Sequence, residues 1–274
     1  QHPLQGKVTQ KLAYAYDRSG RHHRAAAQYL QLGQAQVDGG LQREALLRAA
    51  ELFERLGEDR DAVKTLELYL NRFPKPGDQA VGVMQQLADL ESANGDAARR
   101  RHWLGEIIKL DRSAGNAQTR RLAAQASLEL AEQRLVDFRR IRLVKPLQKS
   151  LASKLREMKR ALKAFNAAID YGVAPVTSSA TYNVASMYDE LSQELRASER
   201  PGNLSAEELA QYELLLEEQA APFEQQAIEI YTSNVRQASA GPFDHWSEKS
   251  RQRLDVLRPG WVEGVNTKLN PVKR

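Results

Sequence analysis

Cysteine is absent from all 274 residues. That excludes disulfides, thiolate metal sites and thiol nucleophiles. No apolar run approaches the ~20 residues that span a bilayer, so no membrane-spanning segment is expected in this chain. No signal peptide is visible, and the first residue is Gln1, not Met; a processed product or a piece of something longer is expected. No glycine-rich phosphate loop follows a strand, and no convincing strand is found. Charge of one sign is also modest: the net charge of +5 does not by itself argue for nucleic acid. What is present is ordinary globular material. Hydrophobic residues make up 42% and charged residues 27%, enough for a sizeable core in one repeat array or two small domains.

A search for catalytic chemistry returns little. The histidines are His2, His22, His23, His102 and His245. His22 and His23 are adjacent and cannot share one face of a helix, so a surface position is expected and not a metal site. Asp244, His245 and Ser247 are close in sequence, but a triad is made by geometry, and Asp244 reads as the cap of a helix. The paired carboxylates Glu207/Glu208 and Glu217/Glu218 fall on an exposed helix where nothing raises a pKa. No catalytic, cofactor-binding or metal-binding residue is assigned, no cofactor is expected, and the chain is read as no enzyme.

The informative feature is an internal repeat. Align the chain on Gly20, Gly57 and Gly95. Eight residues before each glycine stand Leu12, Ala49 and Leu87, and seven before stand Ala13, Ala50 and Ala88. Four before stand Tyr16, Phe53 and, as a departure, Glu91; five after stand Ala25, Ala62 and Arg100; nine after stand Tyr29, Leu66 and Leu104. Pro74 follows Gly57 by seventeen residues. Small residues let a first helix, A, approach a second, B. An aromatic on helix A fills the gap, glycine permits the tight turn and proline stops helix B. The pattern resembles the tetratricopeptide repeat. The glycine spacings of 37 and 38 exceed the usual ~34, which predicts lengthened helices or linkers.

Downstream, Leu147, Leu151, Leu155, Met158, Leu162, Phe165 and Ile169 form one apolar stripe of a helix ended by Gly172 and Pro175. Ala161, Phe165 and Ala168 have helix B spacing, and Val184, Ala185 and Tyr188 that of the next helix A. A capping box, Ser205 with Glu208, opens a further helix in which Pro222 predicts a kink or break. Gly241 and Pro242 precede a short last helix that stops at Pro259 and Gly260. The expected architecture is an all-α solenoid of tetratricopeptide-like helix pairs over 1–115, a C-terminal helical region over 116–258 and an extended tail over 259–274.

The aromatics Tyr14, Tyr16, Tyr29, Phe53 and Tyr69 are read mainly as repeat core, with a concave groove as the alternative. Polar candidates for a partner-binding groove are helix A residues off the repeat pattern: Gln10, Arg48, Glu51, Gln85, Gln86 and Glu91. Charge is also segregated. Residues 134–163 hold eleven Lys or Arg against Asp137 and Glu157; residues 204–231 hold seven Glu and no base. Two solvated helix faces are the plain reading. The sharper one is a basic partner surface of Lys154, Arg156, Lys159, Arg160 and Lys163. Nucleic acid is disfavoured, because the acidic helix repels phosphate and no aromatic is interleaved with the bases. The basic and acidic helices are expected to lie close together in one helical subdomain, each apolar stripe covered by a neighbouring helix of that region.

The segments PLQKSLASKLREMKRALKAFNAAIDYGVAPVTSSATYNVASMYDEL and NLSAEELAQYELLLEEQAAPFEQQAIEIY, at 146–191 and 203–231, resemble a more particular family. They look like the C-terminal region of large bacterial cell-envelope tetratricopeptide proteins of the adventurous-gliding-motility type. The likeness covers roughly residues 140–258; the tail WVEGVNTKLNPVKR departs from it. The resemblance implies a periplasmic or envelope scaffold, with protein or peptide partners that include Tol- and Exb-type energy-coupling components, and carries no catalytic residue over. The competing expectation is a regulatory or substrate-binding domain of a larger enzyme whose catalytic part lies N-terminal to this chain.

Overall fold

The computed structural model describes residues 3–35, 38–75, 77–239 and 244–260. Among these the chain forms eleven α-helices and no strand, an all-α solenoid of tetratricopeptide-like helix pairs followed by further helices. It divides into two compact units, 1–123 and 124–274. The glycine and proline at 241–242 and all of the tail beyond Gly260 lie outside the described residues.

The first unit is built from α1 (Pro3–Arg18), α2 (His22–Gln34), α3 (Gly39–Arg55), α4 (Asp59–Arg72), α5 (Gly77–Ala93) and α6 (Ala97–Ala114). Each helix packs on the next, so the chain stacks as three A/B pairs: α1/α2, α3/α4 and α5/α6. The turn within each pair is the same structure three times. Gly20, Gly57 and Gly95 have φ of 76°, 73° and 75°, in the left-handed region that penalises any residue with a Cβ. Each glycine N–H donates to the carbonyl three residues back, Asp17, Glu54 or Ser92. The next N–H, of Arg21, Glu58 or Asp96, reaches the carbonyl of Tyr16, Phe53 or Glu91. This paired closure satisfies carbonyls that a helix end leaves open.

The small positions pack as the repeat requires. Ala13, Ala25, Ala50, Ala62 and Ala88 are fully buried. Leu66 and Leu104 fill the helix B sites, and Phe53 is buried between its helices. Gly33 on α2 has a separate role: a Cβ there would stand 2.6 Å from the Leu46 side chain, so only glycine lets α2 and α3 approach so closely. Asp38 and Asp96 cap α3 and α6, each accepting two backbone N–H groups at 2.8–3.1 Å. Leu12 departs from its equivalents. It is 40% exposed, whereas Ala49 and Leu87 are fully buried.

The second unit takes the latter part of α7 (Ala117–Arg140), α8 (Leu147–Ile169), α9 (Ala174–Arg196), α10 (Ala206–Ser239) and α11 (His245–Leu257). Its main core joins Phe138 of α7, Met158 and Phe165 of α8, Met187, Leu191 and Leu195 of α9 and Ala220 of α10. Gly172, with φ of 67°, ends the turn after α8. The Ser205–Glu208 capping box forms in both directions, at 2.7 and 3.2 Å.

Of the kink or break expected at Pro222, the break does not occur: α10 continues through it. Pro222 lies on the exposed side, where water can serve the carbonyl that its missing N–H leaves open. The basic and acidic helices lie in one unit and share its main core, as expected, with α9 as the helix that packs on both. The α8 stripe is rotated from its expected setting: Leu155 is 36% exposed, and Lys154 takes the buried place beside it.

Candidate interaction surfaces

The helix A residues of the first unit are held in register by a polar bond that repeats. In the glycine frame, the residue three before the glycine of one pair meets the residue nine before the glycine of the next. Arg48 of α3 donates to the Asp17 carboxylate of α1 through Nε and Nη2, at 3.0 and 2.7 Å. Gln86 of α5 donates to Glu54 of α3. Burial raises the Glu54 carboxyl above its ordinary value, with the Gln86 bond acting the other way. The sequence carried this signal as complementary polar residues at matching offsets, but the core pattern alone does not show it.

Beside the Asp17–Arg48 pair lies a cleft of about 370 Å³. It is lined by Gln10, Lys11 and Tyr14 of α1, Tyr29 and Leu32 of α2, and Leu41, Glu44 and Ala45 of α3. Tyr14 and Asp17 are three apart, as Glu44 and Arg48 are four apart, so cleft and bond share one face of each helix. Tyr14 is 59% exposed. Burial and the neighbouring Asp17 push the Tyr29 phenol above its ordinary value. The floor is thus apolar and aromatic, and the rim offers one cation, Lys11, and one anion, Glu44. An opening of this size accepts a side chain or two of a partner.

The six groove candidates have different fates. Gln10 lines the cleft. Glu51 is exposed and bonded to Arg48 at 2.6 Å, so both lie on the face that carries the cross-repeat bonds. Gln86 makes the second of those bonds, and Gln85 is bonded to Asp89 one turn on, at 3.1 Å. Glu91 is not a groove residue. It is buried at the aromatic site between A and B helices, where Arg99 bonds it and reaches Glu67 of α4 at 2.5 Å. A buried carboxylate survives there because a cation comes with it. Among the aromatics, Phe53 and Tyr69 are core, Tyr16 and Tyr29 are half-buried, and Tyr14 belongs to the cleft.

On α8, Arg156, Lys159, Arg160 and Lys163 are exposed, with Arg160 bonded to Glu157. Lys154 is a correction: it is fully buried and cannot belong to a partner surface. Its Nζ donates to the carbonyl of Ile141 at 2.9 Å and that of Phe138 at 3.4 Å, and to Glu194 at 2.8 Å, while lying 4.2 Å from the Phe138 ring centre. It therefore closes the C-terminal end of α7, where the helix dipole favours a cation. His22 approaches Asp17 at 3.5 Å and His23 approaches Glu58 at 3.2 Å, so the two rings point to different partners. Asp244 caps α11, accepting from the Ser247 N–H at 2.9 Å and from the hydroxyls of Ser247 and Ser178. No described helix is long and apolar enough to cross a membrane.

No protein-family model matches the sequence, nor does any curated protein. Among solved structures the chain is similar to a Podosopora anserina kinesin light chain-like protein of nearly identical TPR-like repeats. The identity there is 13%, over 79% of this chain and 96% of that one, at a TM-score of 0.38. It is also similar to the TPR2AB domain of yeast Sti1 in a pHSP90 complex, 13% identical over 93% and 98%, at a TM-score of 0.37. At such TM-scores the fold rests on the helices and turns described above, and not on these likenesses.

Proposed function

We propose that this chain is a non-catalytic scaffold that holds a peptide or helix of a partner protein against the A-helix face of its first unit. The observation that carries the reading is the cleft of about 370 Å³ at Tyr14, Tyr29 and Leu41, set beside a face whose A helices are linked by cross-repeat bonds. Stacked helix pairs suit this work because each added pair extends one continuous contact surface. A preformed face also lowers the ordering cost of binding.

The setting we propose is the periplasm or envelope of a bacterium, beside Tol- or Exb-type energy-coupling components. The likeness of residues 146–191 and 203–231 to envelope proteins of the adventurous-gliding-motility type supports it. The test places a photoreactive residue at Lys11 in the protein in its own cell and identifies what is captured, and in which fraction. The reading expects one protein partner in the envelope fraction, with capture abolished by Tyr14→Ala or Glu44→Lys. Capture insensitive to both changes would move the site away from this cleft. A wholly cytosolic partner would remove the envelope setting while leaving the cleft.

A further inference from the structure

The glycine frame shows one inter-repeat interface that is left open. Positions twelve, eight and five before the glycine face the preceding helix B. In α3 these are Ala45, Ala49 and Leu52, all buried. Ala49 and Leu52 share a core cluster with Ala25 and Ala26 of α2, and Leu30 of α2 packs against it. In α5 they are Val83 and Leu87, both buried, and Leu90, which packs against that same cluster. In α1 they are Val8, Leu12 and Ala15. Val8 is 63% exposed, Leu12 is 40% exposed, and Ala15 is exposed too. The spacing of four and three is that of a stripe on one helical face. Solenoid faces that meet water are polar, and this one is apolar.

We infer that the Val8–Leu12–Ala15 stripe of α1 is a docking face for an amphipathic helix of the α2 kind, stacked in register so that it adds one layer to the array. The inference is independent of the cleft on the A-helix face. It rests on continuity with an interface the structure builds twice, α2 on α3 and α4 on α5. The first of these shows what the occupant must look like. α2 offers Ala26, Leu30 and Gly33 at the same four-and-three spacing, with Ala26 and Gly33 buried. Gly33 admits the Leu46 side chain where a Cβ would collide, and in α1 the place of Leu46 is held by the smaller Thr9. The occupant therefore carries small and apolar residues at the spacing of Ala26, Leu30 and Gly33.

The test uses the whole chain. A second copy of residues 21–39, the α2 helix with the segment that leads into α3 and the first residue of α3, is fused directly ahead of Pro3, which keeps the repeat register. Amide hydrogen exchange is read over residues 8–16. The inference expects protection there to rise at least about tenfold, and the thermal midpoint to rise by about 2–4 °C or more. Both gains are lost on Leu12→Asp in the fused chain, while the same change in the unfused chain leaves α2 and α3 as protected as before. Unchanged exchange over 8–16 in the fused chain would overturn the inference. So would either of two results with the unfused chain. One is a concentration-dependent dimer abolished by Leu12→Asp, which would make a second copy the occupant. The other is Leu12-dependent binding to vesicles of mixed neutral and anionic phospholipid, which would make it a lipid surface.

Discussion

Lys154 shows how one residue changes meaning with its neighbours. In the sequence it belongs to a run of bases; in the fold its ammonium group is wholly buried and fully engaged by two carbonyls, a carboxylate and a ring face. Removing such a group leaves the last carbonyls of α7 and the Glu194 carboxylate without their partner. Lys154→Met is expected to cost about 3–5 kcal/mol, the range for breaking a buried pair from one side. Lys163→Glu, on the exposed face of the same helix, is expected to stay within about 0.5 kcal/mol. Urea unfolding of the two variants checks both; a Lys154→Met cost no larger than that of Lys163→Glu would show that the buried bonds contribute little net stability. The position was not legible beforehand because an apolar stripe at steps of three and four tolerates a rotation of about half a residue. The end of α7, with the Phe138 and Ile141 carbonyls, and Glu194 of α9 together turn Lys154 inward in place of Leu155. Glu91 makes the same point in reverse. It looked like a weak repeat residue open to a groove, and Arg99, eight residues on, is what makes its burial acceptable.

At the scale of elements, the repeat glycines and small residues were readable because their cause is local. A left-handed turn and a close helix contact restrict residue type directly. What lay beyond the sequence was which helix covers which. Opposite charge and clean apolar stripes placed α8 and α10 in one subdomain, but did not show that α9 packs on both and joins them in one core. The same helix explains the continuity of α10. Arg196 of α9 holds Glu217 through Nε and Nη2, both at 2.7 Å, and Glu224 through Nη1. Those two carboxylates stand on either side of Pro222, so one guanidinium braces the turn that the proline weakens. Tyr188 stacks on Phe223 beside it, ring centres 6.4 Å apart. Proline costs about 3 kcal/mol relative to alanine inside a helix. Pro222→Ala is therefore expected to stabilise the protein by about 1–3 kcal/mol in urea unfolding, and to make Arg196→Ala less damaging than it is in the parent. A neutral or destabilising Pro222→Ala would mean that α10 is shaped around the proline and gains nothing from the restored N–H.

At the scale of the whole molecule, the two units carry their titrating groups differently, and acid should separate them. In the second unit four carboxyls lie below their ordinary values. Glu208 is held down by the Ser205 backbone N–H and then its hydroxyl, Glu217 by Arg196, and Glu248 by Arg251 and then Gln252. For Asp244, burial raises the carboxyl, but the bonds from Ser247 and Ser178 outweigh it and leave the net shift downward. A lowered folded-state pKa contributes stability that is present above the unfolded value and is lost as pH falls through the folded one. These contributions therefore fade below about pH 4–4.5, where free carboxyls take up protons. Glu132 in the same unit, and Glu54 in the first, are raised by burial, so their protonation on acidification favours the folded form. Two of the four lowered carboxyls, Asp244 and Glu248, stand at the start of α11, so the docking of α11 is expected to be the acid-sensitive joint. Trp103 lies in the first unit and Trp246 at the start of α11, which allows the units to be watched separately. With Trp261→Phe as background, a Trp103→Phe chain reports α11 and a Trp246→Phe chain reports the first unit. On titration from pH 7 to 2 the Trp246 fluorescence is expected to change at higher pH than that of Trp103, and Asp244→Asn is expected to weaken α11 docking already at neutral pH. Coincident acid transitions, or a Trp103 signal that moves first, would show that the carboxyls of the second unit do not set the acid limit.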